Sequence, residues 1–188
     1  MHYRVEGAPM PAVTIKLEQG ESIYTQSGGM TWMSDGISME TNMKGGLMKG
    51  IGRMFSGDIA QKNAFLCATP NVVLSAYVTG AKSGFFGGEG FVLQRYSGQG
   101  MAFLELDGTI VEKELAPGEK IKVDTGNIAF FEAGVGYSSE MVKGFANILF
   151  GGEGLFLSTL TGPGKVWLQT MSVSELAKRI IPFIPSGK

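Results

Sequence analysis

The run Phe86-Gly87-Gly88-Glu89-Gly90 returns letter for letter at Phe150-Gly151-Gly152-Glu153-Gly154, 64 positions on. The match extends beyond the pentamer, with Asn63 meeting Asn127, Gly80 meeting Gly144, Leu93 meeting Leu157, Gly98 meeting Gly162, Gly100 meeting Gly164 and Leu104 meeting Leu168. A shared period of this length marks a duplicated folding unit and not one repeated turn. Gly20-Glu21-Ser22-Ile23 also echoes Gly118-Glu119-Lys120-Ile121, and Gly28 falls where Gly126 does, which adds a third, more divergent copy 98 positions earlier. The copies are read as residues 12–58, 59–122 and 123–186 of a single domain. In the first, Phe55-Ser56-Gly57 stands where Phe86-Gly87-Gly88 stands in the second, yet the chain reaches Asn63 only a few residues later. Roughly 33 residues of the expected copy are therefore absent after Gly57. Either the first copy has lost its second half, or the sequence lacks a segment that the natural protein carries. A half copy would leave a strand edge unpaired.

Within the copies the hydrophobic period is two. Val13, Ile15 and Leu17 alternate with Thr14, Lys16 and Glu18, and short strands are expected at Ser22–Gln26, Met30–Ser34 and Ile37–Met43. Asp35-Gly36 and Asp107-Gly108 suit two-residue hairpin turns, and Pro117-Gly118 suits a type II turn. Further strands are expected at Val72–Val78, Phe91–Tyr96, Met101–Leu106, Glu119–Asp124, Asn127–Glu132, Tyr137–Val142, Leu155–Leu160 and Lys165–Met171. Ser172-Val173-Ser174-Glu175 has the spacing of a capping box, so a short helix should run from Val173 to Ile181 and stop before Pro182. The result is an all-β sandwich or barrel-like body with a short C-terminal helix.

Composition narrows the function classes. Hydrophobic residues make up 44% and charged ones 18%, which excludes intrinsic disorder. The 29 glycines have no three-residue period and punctuate apolar runs as turns do. A net charge of −1 gives no global attraction to nucleic acid or anionic lipid, so a nucleic-acid partner is not expected. Cys67 and His2 are single, which rules out an intrachain disulfide and a Cys/His zinc site, and no metal or other cofactor is expected. With no apolar run of membrane-spanning length and no signal-peptide pattern, a cytoplasmic location is expected.

Few residues offer chemistry. Gly-Gly-Glu resembles the start of a cyclic-dinucleotide cyclase signature, but glycine follows the glutamate here and the surroundings are all-β. It lacks the Lys-Ser/Thr of a phosphate loop. Glu89 and Glu153 are read as carboxylates that satisfy amides in their own glycine turns or pair across a repeat junction. Lys44 to Phe55 places Lys49 and Arg53 among Leu47, Met48, Ile51, Met54 and Phe55. It reads as a glycine-rich connection packing on the sheet, with a basic amphipathic contact to a membrane or partner as the sharper alternative. Cys67 sits in an apolar run with no cationic neighbour and is read as core filler. His2 is placed in a mobile terminus, and Trp32, Phe103, Phe130, Phe131 and Trp167 in strands as core aromatics. No catalytic residue is assigned. Glu89, Glu153, Lys49, Arg53 and Phe55 remain as candidate junction or interaction residues.

Taken together, the doubled Phe-Gly-Gly-Glu-Gly, the run Leu160-Thr161-Gly162-Pro163-Gly164-Lys165-Val166-Trp167-Leu168-Gln169, the Leu115-Ala116-Pro117-Gly118-Glu119 turn and the Val123-Asp124-Thr125-Gly126 step resemble a known family. It is that of the bacterial and archaeal relatives of the yeast altered-inheritance-of-mitochondria protein, a former domain of unknown function. The resemblance covers essentially the whole chain. It implies a fold of the tryptophan RNA-binding attenuator-like superfamily, related to the double-stranded β-helix, and no established enzymatic activity. In the mitochondrial relatives it implies a part in inner-membrane organisation. The expected function is a non-enzymatic scaffold that meets a protein partner, a further copy of itself or a membrane periphery. A small-ligand or nucleic-acid binding module is the alternative.

Overall fold

A computed structural model describes residues 1–8, 10–40, 58–61, 64–77, 93–141 and 156–184. The chain opens with β1 (His2–Glu6), β2 (Ala12–Lys16) and β3 (Tyr24–Thr25). The second copy contributes β4 (Asp58–Gln61), β5 (Phe65–Ala68), β6 (Val72–Tyr77), β7 (Leu93–Gly98) and β8 (Ala102–Leu104). Next come β9 (Ile110–Leu115), β10 (Lys120–Asp124), β11 (Ile128–Phe131), β12 (Gly136–Met141), β13 (Phe156–Thr161) and β14 (Gly164–Gln169). Helix α1 (Val173–Ile180) and a single 3-10 turn (Ile181–Phe183) follow. Every ladder is antiparallel, so the body is all-β with one short C-terminal helix, as expected.

The repeat is written into the ladders. On β5 and β8, Phe65 pairs with Leu104, Leu66 bulges, and Cys67 and Ala68 pair with Phe103 and Ala102. On β11 and β14, Ile128 pairs with Leu168, Ala129 bulges, and Phe130 and Phe131 pair with Trp167 and Val166. Leu74 opposite Tyr96 likewise becomes Tyr137 opposite Leu160. The first strand of each such pair moves by 63 positions and the second by 64. A one-residue length difference therefore separates the copies, and it falls in the connection between β6 and β7. The turns repeat too: Thr69 Oγ1 accepts the Met101 N–H at 2.9 Å, and Glu132 Oε2 accepts the Lys165 N–H at 2.8 Å.

Each complete copy is a small two-layer sandwich. The third encloses Ile128, Phe131, Val135, Leu160 and Val166, with Tyr137 packed against them. At the matching places the second has Phe65, Ala68, Val72, Tyr96 and Ala102, with Leu74. Volume is exchanged between layers: where one copy has Phe131 over Leu160, the other has Ala68 under Tyr96. The copies join edge to edge. Ile59 of β4 pairs with Phe131, and Tyr24 of β3 pairs with Ala68 in the same register. Each copy thereby lends one side chain to the core of the next, worth about 1.5 to 3 kcal/mol per buried residue. Tyr24 stacks on Phe65 at 5.3 Å and donates its hydroxyl to the Val72 carbonyl at 2.9 Å. Through β4 and β11 the two complete copies share one six-stranded sheet, ordered β6-β7-β4-β11-β14-β9.

Several local expectations change. The strand expected over Ser22–Gln26 shortens to Tyr24–Thr25, and Met30–Ser34 and Ile37–Glu40 form no ladder. Among the described residues these segments meet no partner strand. The Asp35-Gly36 turn does form, with Gly36 at φ +92°. Its Ile37 N–H to Ser34 carbonyl bond matches the Val135 to Glu132 bond of the third copy. Gly108 takes φ +72°, yet Asp107-Gly108 closes no hairpin, because β8 pairs with β5 and β9 with β14. His2 belongs to β1 and pairs with Lys16, where a mobile terminus was expected. Trp32, expected in a strand core, is 63% exposed. Pro117-Gly118 turns as expected, with Gly118 at φ +78° and Glu119 N–H bonded to Ala116 O. Helix α1 carries both reciprocal bonds of its Ser172 and Glu175 capping box.

Candidate functional site

Glu89, Glu153, Lys49, Arg53 and Phe55, the interaction residues expected from sequence, all lie outside the described residues. The chemistry that can be described begins in the third sandwich. Thr125 and Ser158 are buried, with their hydroxyl oxygens 2.7 Å apart, and Ser158 meets the Tyr137 hydroxyl at 3.0 Å. The three hydroxyls thus lie in series within the core and hydrogen-bond one another.

Buried Gln169 plays a similar part, accepting the Asp107 N–H and donating to the Gly126 carbonyl. Asn127 donates to Gln169 O at 2.9 Å and reaches Glu175 at 3.4 Å, which ties the base of α1 to the sheet. The sequence showed these only as polar letters in apolar strands. Cys67 is buried as expected, and burial pushes its thiol above the ordinary range, so it is a poor nucleophile. Among the described residues no group of three or more His, Cys, Asp or Glu side chains could hold a metal ion.

A cleft of about 410 Å³ opens beside the second sandwich. Its walls include Asp58, Val72, Tyr96, Ser97, Gly100 and Phe130. Burial raises the Tyr96 phenol well above its usual value, which keeps it a neutral hydrogen-bonding group. The Lys165-Val166-Trp167 edge offers no platform for a base. Lys165 Nζ and Trp167 Nε1 both donate to Glu112, at 2.7 and 2.9 Å, and Trp167 stacks on Phe130 with centroids 4.2 Å apart.

Large apolar side chains are exposed in several places among the described residues, two of them in single stretches of chain. One is the C-terminal row of Leu176, Ile180, Ile181, Phe183 and Ile184, of which Phe183 is 85% exposed. The other is the first-copy segment with Met30, Trp32, Met33, Ile37 and Met39. Among the described residues no helix is long and apolar enough to cross a membrane.

Known proteins fit this architecture. The crystal structure of protein SPYM3_0169 from Streptococcus pyogenes superimposes with a TM-score of 0.76 at 17% identity, covering 97% of this chain and 99% of that one, which shows a common fold. Uncharacterized protein M6_Spy0233 of Streptococcus pyogenes serotype M6 is 22% identical over 219 residues, spanning 94% of this chain and 88% of its own length. That span exceeds the 188 residues of this chain, so the relative carries residues that this one lacks. The family described as mitochondrial biogenesis AIM24 matches residues 3–59 and 56–171, two stretches that meet beside Gly57, where the first copy breaks off. With nearly all of its length matched in this way, the chain belongs to the mitochondrial biogenesis AIM24 family.

Proposed function

We propose that the chain is a non-enzymatic scaffold that binds a protein or membrane-associated partner. The observation that carries this reading is the C-terminal apolar row, held out from a helix whose base is fixed to the sheet through Glu175 and Asn127. Exposed large apolar side chains gathered in one short stretch of chain are the kind of feature that interaction sites use. A cytoplasmic setting belongs to the proposal, supported by a lone cysteine buried in a strand.

The cleft at Tyr96 favours a second reading, a small-ligand module. Native mass spectrometry of the purified full chain separates the two. A clean apo species, with binding lost on Phe183→Ser in a partner assay, supports the scaffold. A retained small molecule released by Tyr96→Ala supports the ligand module. Robust turnover abolished by a single cleft substitution would overturn both.

A further inference from the structure

The register of the six-stranded sheet sets the floor of the cleft at Tyr96. Asp58 pairs with Tyr96 and Ala60 pairs with Phe130, and Asp58 and Ala60 are alternate residues of β4. Directly paired residues, and alternate residues of one strand, point to the same side of a sheet. One carboxylate, one alanine methyl and two aromatic rings therefore share a face, and all four residues line the cleft. Ala102 and Leu104 of β8, which belongs to the separate sheet β3-β5-β8, line it as well. Phe130 stacks on Trp167 of the next strand at an interplanar angle of 11°, which leaves the other face of its ring on the Ala60 side. Asp58 is exposed and is the one charged residue among the described residues that line the cleft. No lysine, arginine or histidine stands beside it there. On the same sheet face, the Lys165 ammonium is engaged by Glu112 at 2.7 Å.

We propose that this cleft binds a small organic cation, an ammonium group carried on an apolar body. The inference rests on the small-ligand reading of the cleft and names the class of ligand that it takes. An ammonium N–H donates to the Asp58 carboxylate in a charge-assisted hydrogen bond, the strong kind. The rings of Phe130 and Tyr96 add to it, because the negative face of an aromatic ring attracts a cation. Ala60, Ala102 and Leu104 meet the apolar body. A volume of about 410 Å³ lies within the range of small-molecule sites. Phosphates, nucleotides and carboxylic acids would bring a negative charge to a cleft whose own charge is negative, with no basic side chain among its described walls to offset it.

Isothermal titration of the full chain at neutral pH with three probes of one shape tests it: phenethylammonium, phenethyl alcohol and hydrocinnamate. The ammonium is expected to bind, the neutral alcohol to bind about 10-fold more weakly and the carboxylate not to bind. Asp58→Asn, an exposed change of nearly equal shape, should bring the ammonium down to the level of the alcohol and leave the alcohol unchanged. Phe130→Leu should weaken the ammonium about 2- to 5-fold. Alcohol or carboxylate binding as tightly as the ammonium would overturn the assignment of a cation while leaving a small-ligand cleft in place. Ammonium binding untouched by Asp58→Asn would overturn it too, by placing the cation elsewhere. Binding of none of the three would also overturn it, and a clean apo native mass spectrum would then remove the small-ligand reading as well.

Discussion

Replacing Ile59 with Ala tests whether one copy supports the next. Ile59 lies on a strand of the second copy, yet it is only 2% exposed among the core residues of the third. Removing its branched side chain from a closed core costs about 2 to 5 kcal/mol, depending on how far the cavity relaxes. Phe131 and Val166, both fully buried and held in a ladder, leave little room for collapse, so the middle of that range, about 3.5 kcal/mol, is expected. Against a total stability of roughly 5 to 15 kcal/mol this is a large fraction. It corresponds to a fall in Tm of about 7 to 14 °C for a chain of this size. Urea unfolding followed by both tryptophan fluorescence and far-UV circular dichroism is the assay, because Trp167 reports on the third copy while dichroism reports on all the strands. Both signals should shift together in one transition. A loss below about 1 kcal/mol would refute the reasoning. Two separate transitions with the Trp167 signal unmoved would also refute it, since Ile59 would then serve its own copy alone.

Gly164→Ala places a methyl 2.8 Å from Val135 Cγ2 and 3.1 Å from Glu132 Oε2 at a backbone φ of +137°. A loss of about 2 to 4 kcal/mol is expected, and a urea midpoint close to wild type would show that the turn yields. Glu175→Ala removes the acceptor of the Ser172 N–H and the contact with Asn127, a local loss of about 1 kcal/mol. Hydrogen exchange should accelerate over Val173–Ile180 and not in the sheet; equal acceleration in both would contradict a local role. Hydrogen bonds from Lys165 and then Trp167 hold the Glu112 carboxyl below its usual 4.5. A depressed folded value means the interaction is complete above the unfolded pKa and is lost as pH falls through the folded one, so the Trp167 indole N–H resonance should move only below pH 4.5. A midpoint at or above that pH would exclude the arrangement. Burial lifts the Cys67 thiol above its usual 9.0, so labelling near neutral pH should keep pace with global unfolding, and rapid labelling of the folded chain would contradict it.

Much of the fold was legible because two signals reinforced one another. Apolar runs placed strands over Val72–Val78 and Lys165–Met171, close to the observed Val72–Tyr77 and Gly164–Gln169, and the repeat showed that their neighbours should recur. The Ser172 and Glu175 cap was equally readable, since both of its bonds are local in sequence. Asp107-Gly108 misled because a turn dipeptide fixes a local bend but says nothing about which sheet each flanking strand enters. Trp32 misled because its counterpart Phe130 is covered by Trp167 of the neighbouring strand, whereas Trp32 enters no ladder among the described residues. Thr125 and Ser158 could not be paired from sequence, lying 33 residues apart, one in the turn after β10 and the other on β13. The same holds for the loan of Tyr24 and Ile59 to the following cores, which depends on edge pairing between copies.

The single residue by which the two complete copies differ in length has a consequence for how such a chain can change. A ladder is a counting device: slipping it by one position turns every side chain of the strand to the opposite face. Leu74 stays opposite Tyr96 and Tyr137 opposite Leu160 in the same frame although the chain between the paired strands differs by one residue. A change of one residue between Tyr77 and Leu93 is therefore compatible with both cores keeping their frame.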